Sequence, residues 1–259
     1  MPKNDIALPS RVSLLWDVPV ALVLLTRLPM PSLPDAAFAN QARAAWAFPL
    51  AGLAIGTLSG ALALGALWLG LPVGAAAGLM LGAGVVLSGA MHEDGLADTC
   101  DGFWGGFTPA RRLEIMKDSA IGTYGVLALI LSLGLRWVAL AMLLPHGIAA
   151  PLAAAIVSRG CFAVLMTALP LARTTGLSHG VGAPGGVVSA VSVGLGIVLA
   201  LMLTGPAILL PALGAAIVVG GLAAVALRKI GGQTGDVLGA AQQLGEITLL
   251  LGLCVSLSF

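Results

Sequence analysis

The segment from His92 to Gly106 reads HEDGLADTCDGFWGG. It places one histidine, one glutamate and three aspartates within ten residues, in a chain otherwise dominated by Ala, Leu, Gly and Val. Asp94 and Asp98 are four apart, and Asp98 and Asp101 three apart. On a helix all three carboxylates share one face, and His92 points elsewhere. Three like charges on one face repel, and packing offers them nothing. A divalent cation does. Mg²⁺ takes oxygen ligands, keeps several waters, and commonly binds through one or two carboxylates plus substrate phosphates. Asp94, Asp98 and Asp101 are therefore candidate metal ligands. A merely solvated polar face is a poor alternative, because six of the eleven acidic residues fall between Glu93 and Asp118.

Positive charge follows closely. Arg111, Arg112 and Lys117 can clamp phosphate oxygens, although Arg111 and Arg112 also suit simple anchoring at a membrane face. Thr108 before Pro109 predicts a helix start. Asp118, Ser119, Gly122 and Thr123 add polar groups at the entrance to the next apolar run. A third polar cluster, LARTTGLSHGVGAPGG, carries Arg173, Ser178 and His179. Arg159 precedes it within an apolar helix, where an arginine needs a partner or a ligand. A fourth, GGQTGDVLGAAQQLGE, has Asp236 opening a helix, capped by Thr234 or by Asp236 itself. Gln242, Gln243 and Glu246 then form a polar stripe expected to face a bundle interior or a wet cavity.

The elements that must hold these clusters are membrane spans. Of 259 residues, 59% are apolar and only 9% charged, against about a quarter charged in soluble domains. No charge occurs from Ala44 to Met91, from Thr174 to Leu227, or from Ile247 to Phe259. A crossing needs about 20 helical residues. The reading is an all-α, polytopic integral membrane helix bundle forming one domain over residues 1–259. It has about seven spans, with six to eight allowed: 46–69, 73–91, 122–144, 148–169, 187–202, 206–227 and 237–257. The segment 12–28 is apolar but short, and Asp17 and Pro19 interrupt it; whether it crosses is open. The N-terminus carries Lys3, Asp5 and Arg11 with no clear cleavage site, so no signal peptide is expected. Gly70, Pro145 and Pro206 mark tight turns without charge. The four charged connections (27–43, 93–119, 171–186 and 228–235) then share one side, which the positive-inside rule places in the cytoplasm. Glycine numbers 36, as suits close helix packing in lipid.

The near-neutral balance, 12 basic against 11 acidic residues, gives no reason to expect nucleic acid. Cys100, Cys161 and Cys254 match no metal pattern and imply no disulfide framework. No P-loop, dinucleotide fingerprint or covalent-nucleophile triad stands out. Acids for a metal and bases for phosphate, gathered on one face, fit Mg²⁺-dependent phosphoryl transfer at the membrane surface.

Several motifs in order resemble the cobalamin-5'-phosphate synthase (adenosylcobinamide-GDP ribazoletransferase) family. They are TRLPMP at 26–31, HEDGLADTCDGFWGG, MKDSAIGTYG at 116–125, the Arg159 and Arg173 region, and GGQTGDVLGAAQQLGE at 231–246. The family form H-x-D-G-x-x-D-x-x-D-G followed by K-D-S-x-x-G is intact. Cys100 stands where many relatives have Ala, and Ala120 where a basic residue is frequent, which puts one phosphate contact in doubt. The resemblance implies a late step of cobalamin biosynthesis in the bacterial inner membrane. Adenosylcobinamide-GDP and α-ribazole, or its 5'-phosphate, give adenosylcobalamin, or its 5'-phosphate, and GMP, with Mg²⁺ as cofactor. The implied partners are these substrates, membrane lipid, and either further copies of the chain or other cobalamin-synthesis enzymes.

On that reading Asp94, Asp98 and Asp101 hold the metal. Lys117 and either Arg159 or Arg173 stabilise charge, and His92 or Asp118 accepts the hydroxyl proton. Arg111, Asp236 and Gln243 contact substrate. A CDP-alcohol phosphatidyltransferase is a rival, but Asp98 stands where that family's motif needs Arg. A transporter is another, but the acids gather at one face and not at the midplane. A non-catalytic assembly factor leaves the aspartates unexplained.

Overall fold

The computed structural model describes residues 14–256; Lys3, Asp5, Arg11 and Leu257 lie outside the described residues. Every regular element among them is helical, and the one β contact is an isolated bridge between Leu171 and Gln233. Helix α1 (Asp17–Leu25) is followed by extended chain and two 3-10 turns, Asp35–Phe38 and Gln41–Ala47. Then come α2 (Phe48–Trp68), α3 (Val73–Ser88), α4 (Met91–Gly105), α5 (Pro109–Ile115), α6 (Thr123–Leu143) and α7 (Ala149–Ala168). The chain ends with α8 (Leu177–Val181), α9 (Gly186–Thr204), α10 (Leu209–Ile230) and α11 (Gly235–Ser256).

Among the described residues, five helical stretches are long and apolar enough to cross a membrane, or six if the bent pair α3 and α4 counts as one span. One of the five, Gly186–Ile230, has 45 residues, about twice what a crossing needs. It breaks at the 3-10 turn Gly205–Ile208, where Gly205 has φ 59°. Val193, Gly196 and Ile197 of α9 then line one cleft with Ala212, Ala215 and Ala216 of α10. The two helices face each other across that cleft, α9 packed on α7 and α10 on α11, so the stretch doubles back. The expected polytopic bundle is therefore present, with its tight turns at Gly70–Pro72, Leu144–Gly147 and Gly205–Ile208.

Helix α1 corresponds to the segment whose crossing was open. Its nine residues extend about 14 Å, under half of a bilayer core, and positions 12–13 of the predicted segment lie outside the described residues. Its buried Asp17 is held by Arg43 Nη2 at 2.7 Å and by Trp46 Nε1 at 2.9 Å, which ties α1 to the turn preceding α2.

Helices α7 and α11 form the centre, with 78% and 72% of their most apolar windows buried, against 28% for α6 and 22% for the α9–α10 stretch. This order explains the sequence. Polar side chains on a span are tolerated where protein covers them, and α7 and α11 carry Ser158, Arg159, Gln242, Gln243 and Glu246.

The span predicted over 73–91 ends early. At Gly89 (φ 68°) and Ala90 (φ 56°) the backbone enters the left-handed region, and α4 leaves α3 at 85°. Gly89 is suited to that conformation, while Ala90 is strained by its Cβ. The elbow turns the acid-bearing helix across the bundle onto α11 and α6.

Candidate active site

The expected helical face of three aspartates forms only in part. α4 is a helix, and Asp94 and Asp98 line a cavity of about 350 Å³ opposite Lys117, Asp118, Ser119 and Ala120. Asp94 is exposed and Asp98 half-buried. Neither carboxylate has a hydrogen-bond or ion-pair partner among the described residues. Asp101 faces α6 instead. Its Oδ2 accepts from the Gly122 amide at 2.7 Å and its Oδ1 from the Gly125 amide at 2.9 Å. A helix N-terminus exposes unpaired amides and favours an anion, and Asp101 fills that role. No group of three or more His, Cys, Asp or Glu residues with metal-binding geometry occurs among the described residues.

The facing wall is built by the turn after α5. Thr108 caps α5, accepting from the Arg111 amide at 3.3 Å, as the Thr-Pro order predicts. The chain then turns through Lys117 and Asp118, and Asp118 Oδ1 accepts from the Ala120 amide at 3.2 Å. Lys117 Nζ reaches Thr175 Oγ1 at 3.4 Å, linking this turn to the loop after α7. That loop is fastened to the entrance of α11 by paired backbone bonds, Ala172 N to Gln233 O and Gln233 N to Pro170 O. Thr234 caps α11 through the Val237 amide at 3.3 Å. Arg173 Nη2 donates to Asp236 Oδ2 at 2.8 Å, while its Nη1 is buried without a partner. Gly95 permits the close crossing of α4 and α11: a Cβ there would lie 2.8 Å from the Asp236 carbonyl oxygen. Three of the four charged connections thus meet at one end of the bundle. The fourth joins them at the elbow, where Arg27 N donates to Leu87 O at 2.7 Å.

Four candidates lie apart from this cavity. His92 is 2% exposed, on the far side of α4, with its ring 5.4 Å from that of Phe162. It lines a separate cavity with Leu25, Phe48 and Met166, and its Nε2 has no partner. Arg111 is exposed on α5 and pairs with Glu114 at 2.7 Å. Arg159 and Gln243 belong to a buried charge network near the middle of α11. There Arg136 Nη1 donates to Glu93 Oε1 at 2.8 Å and to Gln243 Oε1 at 2.9 Å, and Arg136 Nη2 to Glu246 Oε1 at 3.0 Å. Arg159 Nη1 donates to Glu246 Oε2 at 3.4 Å and to Ala155 O at 2.9 Å. Gln243 Nε2 donates to Glu93 Oε1 at 3.0 Å, and Gln242 donates to Glu246. Glu246 lies ten residues beyond Asp236, about 15 Å along the helix. That depth separates Arg159 from Arg173, which the sequence had grouped. The stripe expected to face the bundle interior does so.

Sequence reasoning missed Glu93 as the partner of Arg136. The signal was available: an acid one position before Asp94 points about 100° away from it, toward the core, and a mid-span arginine needs a counterion.

A family model described as cobalamin-5-phosphate synthase matches residues 17–254. The chain belongs to the cobalamin-5-phosphate synthase family. It is a transferase of cobalamin biosynthesis. Among its relatives, a Bradyrhizobium diazoefficiens protein named adenosylcobinamide-GDP ribazoletransferase is 46% identical, covering 91% of this chain and 92% of its own. Proteins of the same name from Mesorhizobium japonicum and Brucella anthropi are 44% and 41% identical. They cover 95% of this chain and 95% and 99% of their own. No solved structure matches.

Proposed function

We propose that the chain is an adenosylcobinamide-GDP ribazoletransferase acting from the cavity between α4 and the 117–121 turn. It joins adenosylcobinamide-GDP to α-ribazole or its 5'-phosphate and releases GMP. The observation that carries this reading is the pair Asp94 and Asp98, two carboxylates on a cavity wall without an ion pair or hydrogen bond among the described residues, with a lysine lining the same cavity. That donor set fits a hard divalent cation bridging protein to a diphosphate. Asp94 and Asp98 would hold Mg²⁺, which when bound supplies neutralisation of the diphosphate and its leaving group.

The chain's own groups have separable tasks. Lys117 and Arg173, whose Nη1 is free to donate, bind phosphoryl oxygens. Asp118, on the cavity wall, takes the proton of the attacking ribose hydroxyl. The hydroxyl oxygen forms a bond to the phosphorus that carries cobinamide, the bond from that phosphorus to GMP breaks, and GMP leaves with the electron pair. His92 is too far inside for the proton role, and Arg159 is engaged with Glu246. The charged connections carry this site on the cytoplasmic side of the bacterial inner membrane, following the positive-inside bias.

The test is transfer by purified protein in detergent, followed by GMP release. Turnover is expected with Mg²⁺ and none with EDTA; full turnover in EDTA, or transfer from a CDP-alcohol in place of the GDP substrate, would sink the reading.

A further inference from the structure

The four acids of α4 divide by what they touch. Glu93 and Asp101 are eight positions apart and both bond inward to α6. Asp101 takes the amides at its start, and Glu93 takes Arg136 further down, at 2.8 Å. Asp94 and Asp98 lie between these anchors and face the cavity. The helix that carries them leaves an elbow where Ala90 sits at φ 56°. A residue other than glycine holds such a conformation only where its surroundings over-determine it.

We propose that Arg136 is a positioning residue of this transferase: through Glu93 it fixes how α4 leaves the elbow, and so which way Asp94 and Asp98 face. The proposal rests on the cavity being the cation site proposed above. Arg136 is 5% exposed, and its guanidinium spans Glu93 of α4 and Gln243 and Glu246 of α11. The rigid fork of an arginine sets orientation as well as distance. Glu93 precedes Asp94 directly, so any rotation of α4 that loosens the first turns the second by the same angle. Gly95 and Gly239 let the backbones of α4 and α11 meet closely at their crossing, and the Glu93–Arg136 pair adds a directional side-chain bond beside it.

The experiment uses the full chain in detergent micelles, with Mn²⁺ as probe. Binding is read by electron paramagnetic resonance, beside thermal unfolding, the Mg²⁺ requirement and KM for adenosylcobinamide-GDP. The double variant Glu93→Gln/Arg136→Met removes both charges together and leaves Glu246 paired with Arg159. It is expected to unfold close to the unaltered protein, to bind Mn²⁺ about 10-fold or more weakly, to need correspondingly more Mg²⁺, and to change KM by less than about twofold. Arg136→Lys keeps the charge without the fork and is expected to lose part of the Mn²⁺ affinity at nearly full stability. It serves as the deciding variant if the double variant does not fold. Mn²⁺ affinity equal to that of the unaltered protein in either folded variant overturns the positioning role alone. An unaltered protein that binds no Mn²⁺, or an Asp98→Asn variant that binds it fully, overturns the cation reading and this proposal with it.

Discussion

Two charged regions lie about 15 Å apart along α11, and they are built on opposite principles. In the mid-span network Glu93, Arg136, Arg159 and Glu246 are mutually paired, with Ser132, Ser158, Gln242 and Gln243 supplying further bonds. Two acids meet two bases, and water is largely excluded. At the cavity, Asp94 and Asp98 form no ion pair among the described residues, and nearby Arg173 is paired with Asp236. A buried charge left unpaired is expensive, so the deep region must balance itself. An open cavity can leave charge unsatisfied because water and ligand complete it. The contrast separates groups that hold the fold from groups available for chemistry, although Glu93 and Asp94 are neighbours in sequence.

The contrast can be broken at several points. The largest effect is expected from Arg136→Met, which strands Glu93 without a cation. A loss of about 3–5 kcal/mol should appear as a large drop in melting temperature in detergent, and unchanged melting would mean the network is not holding the bundle. Asp98→Asn belongs to the other class. It should lower transfer by about 100-fold or more while melting stays the same or rises, since a like-charge repulsion is removed. If it instead unfolds the protein, the cavity acids are structural and the division fails. Asp101→Asn sharpens the middle case. Replacing a carboxylate that accepts two amides should cost about 1–3 kcal/mol, read by thermal unfolding, with a smaller effect on Mn²⁺ binding than Asp98→Asn. A metal-binding defect as deep as that of Asp98→Asn would return Asp101 to the ligand set. The smallest effect is expected from Ala90→Gly, which relieves the left-handed conformation at the elbow. The gain of about 1 kcal/mol is offset by the glycine's greater freedom in the unfolded chain, so melting should rise slightly or stay level. A clear destabilisation would show that the Ala90 methyl packs in a way that outweighs its strain.

The bundle was legible because lipid imposes a simple code. Apolar runs of span length, uncharged turns at Gly70, Pro145 and Pro206, and basic connections between them are all local properties of the chain. The caps at Thr108 and Thr234 were legible for the same reason, since a cap bonds within a few residues. The 85° elbow was not, because Gly89-Ala90 reads like the rest of a Gly/Ala-rich span and its direction depends on α11 and α6. The positions of His92, Arg159 and Gln243 away from the α4 cavity were not legible for a related reason. A sequence shows that a polar group lies near others along the chain, but not which side of a crossing helix it occupies.

The sequence by itself determined that this chain is an all-helical membrane protein, which motifs it shares with the cobalamin-5-phosphate synthase family, and that its acids and bases gather in four connections. Hydrophobicity and spacing carry that information residue by residue. Only the tertiary structure decided that Asp94 and Asp98 face a cavity while Asp101 caps α6 and Glu93 neutralises Arg136. Those roles depend on which helices cross and at what depth. Side chains 43 residues apart in sequence become partners only when the helices that carry them pack.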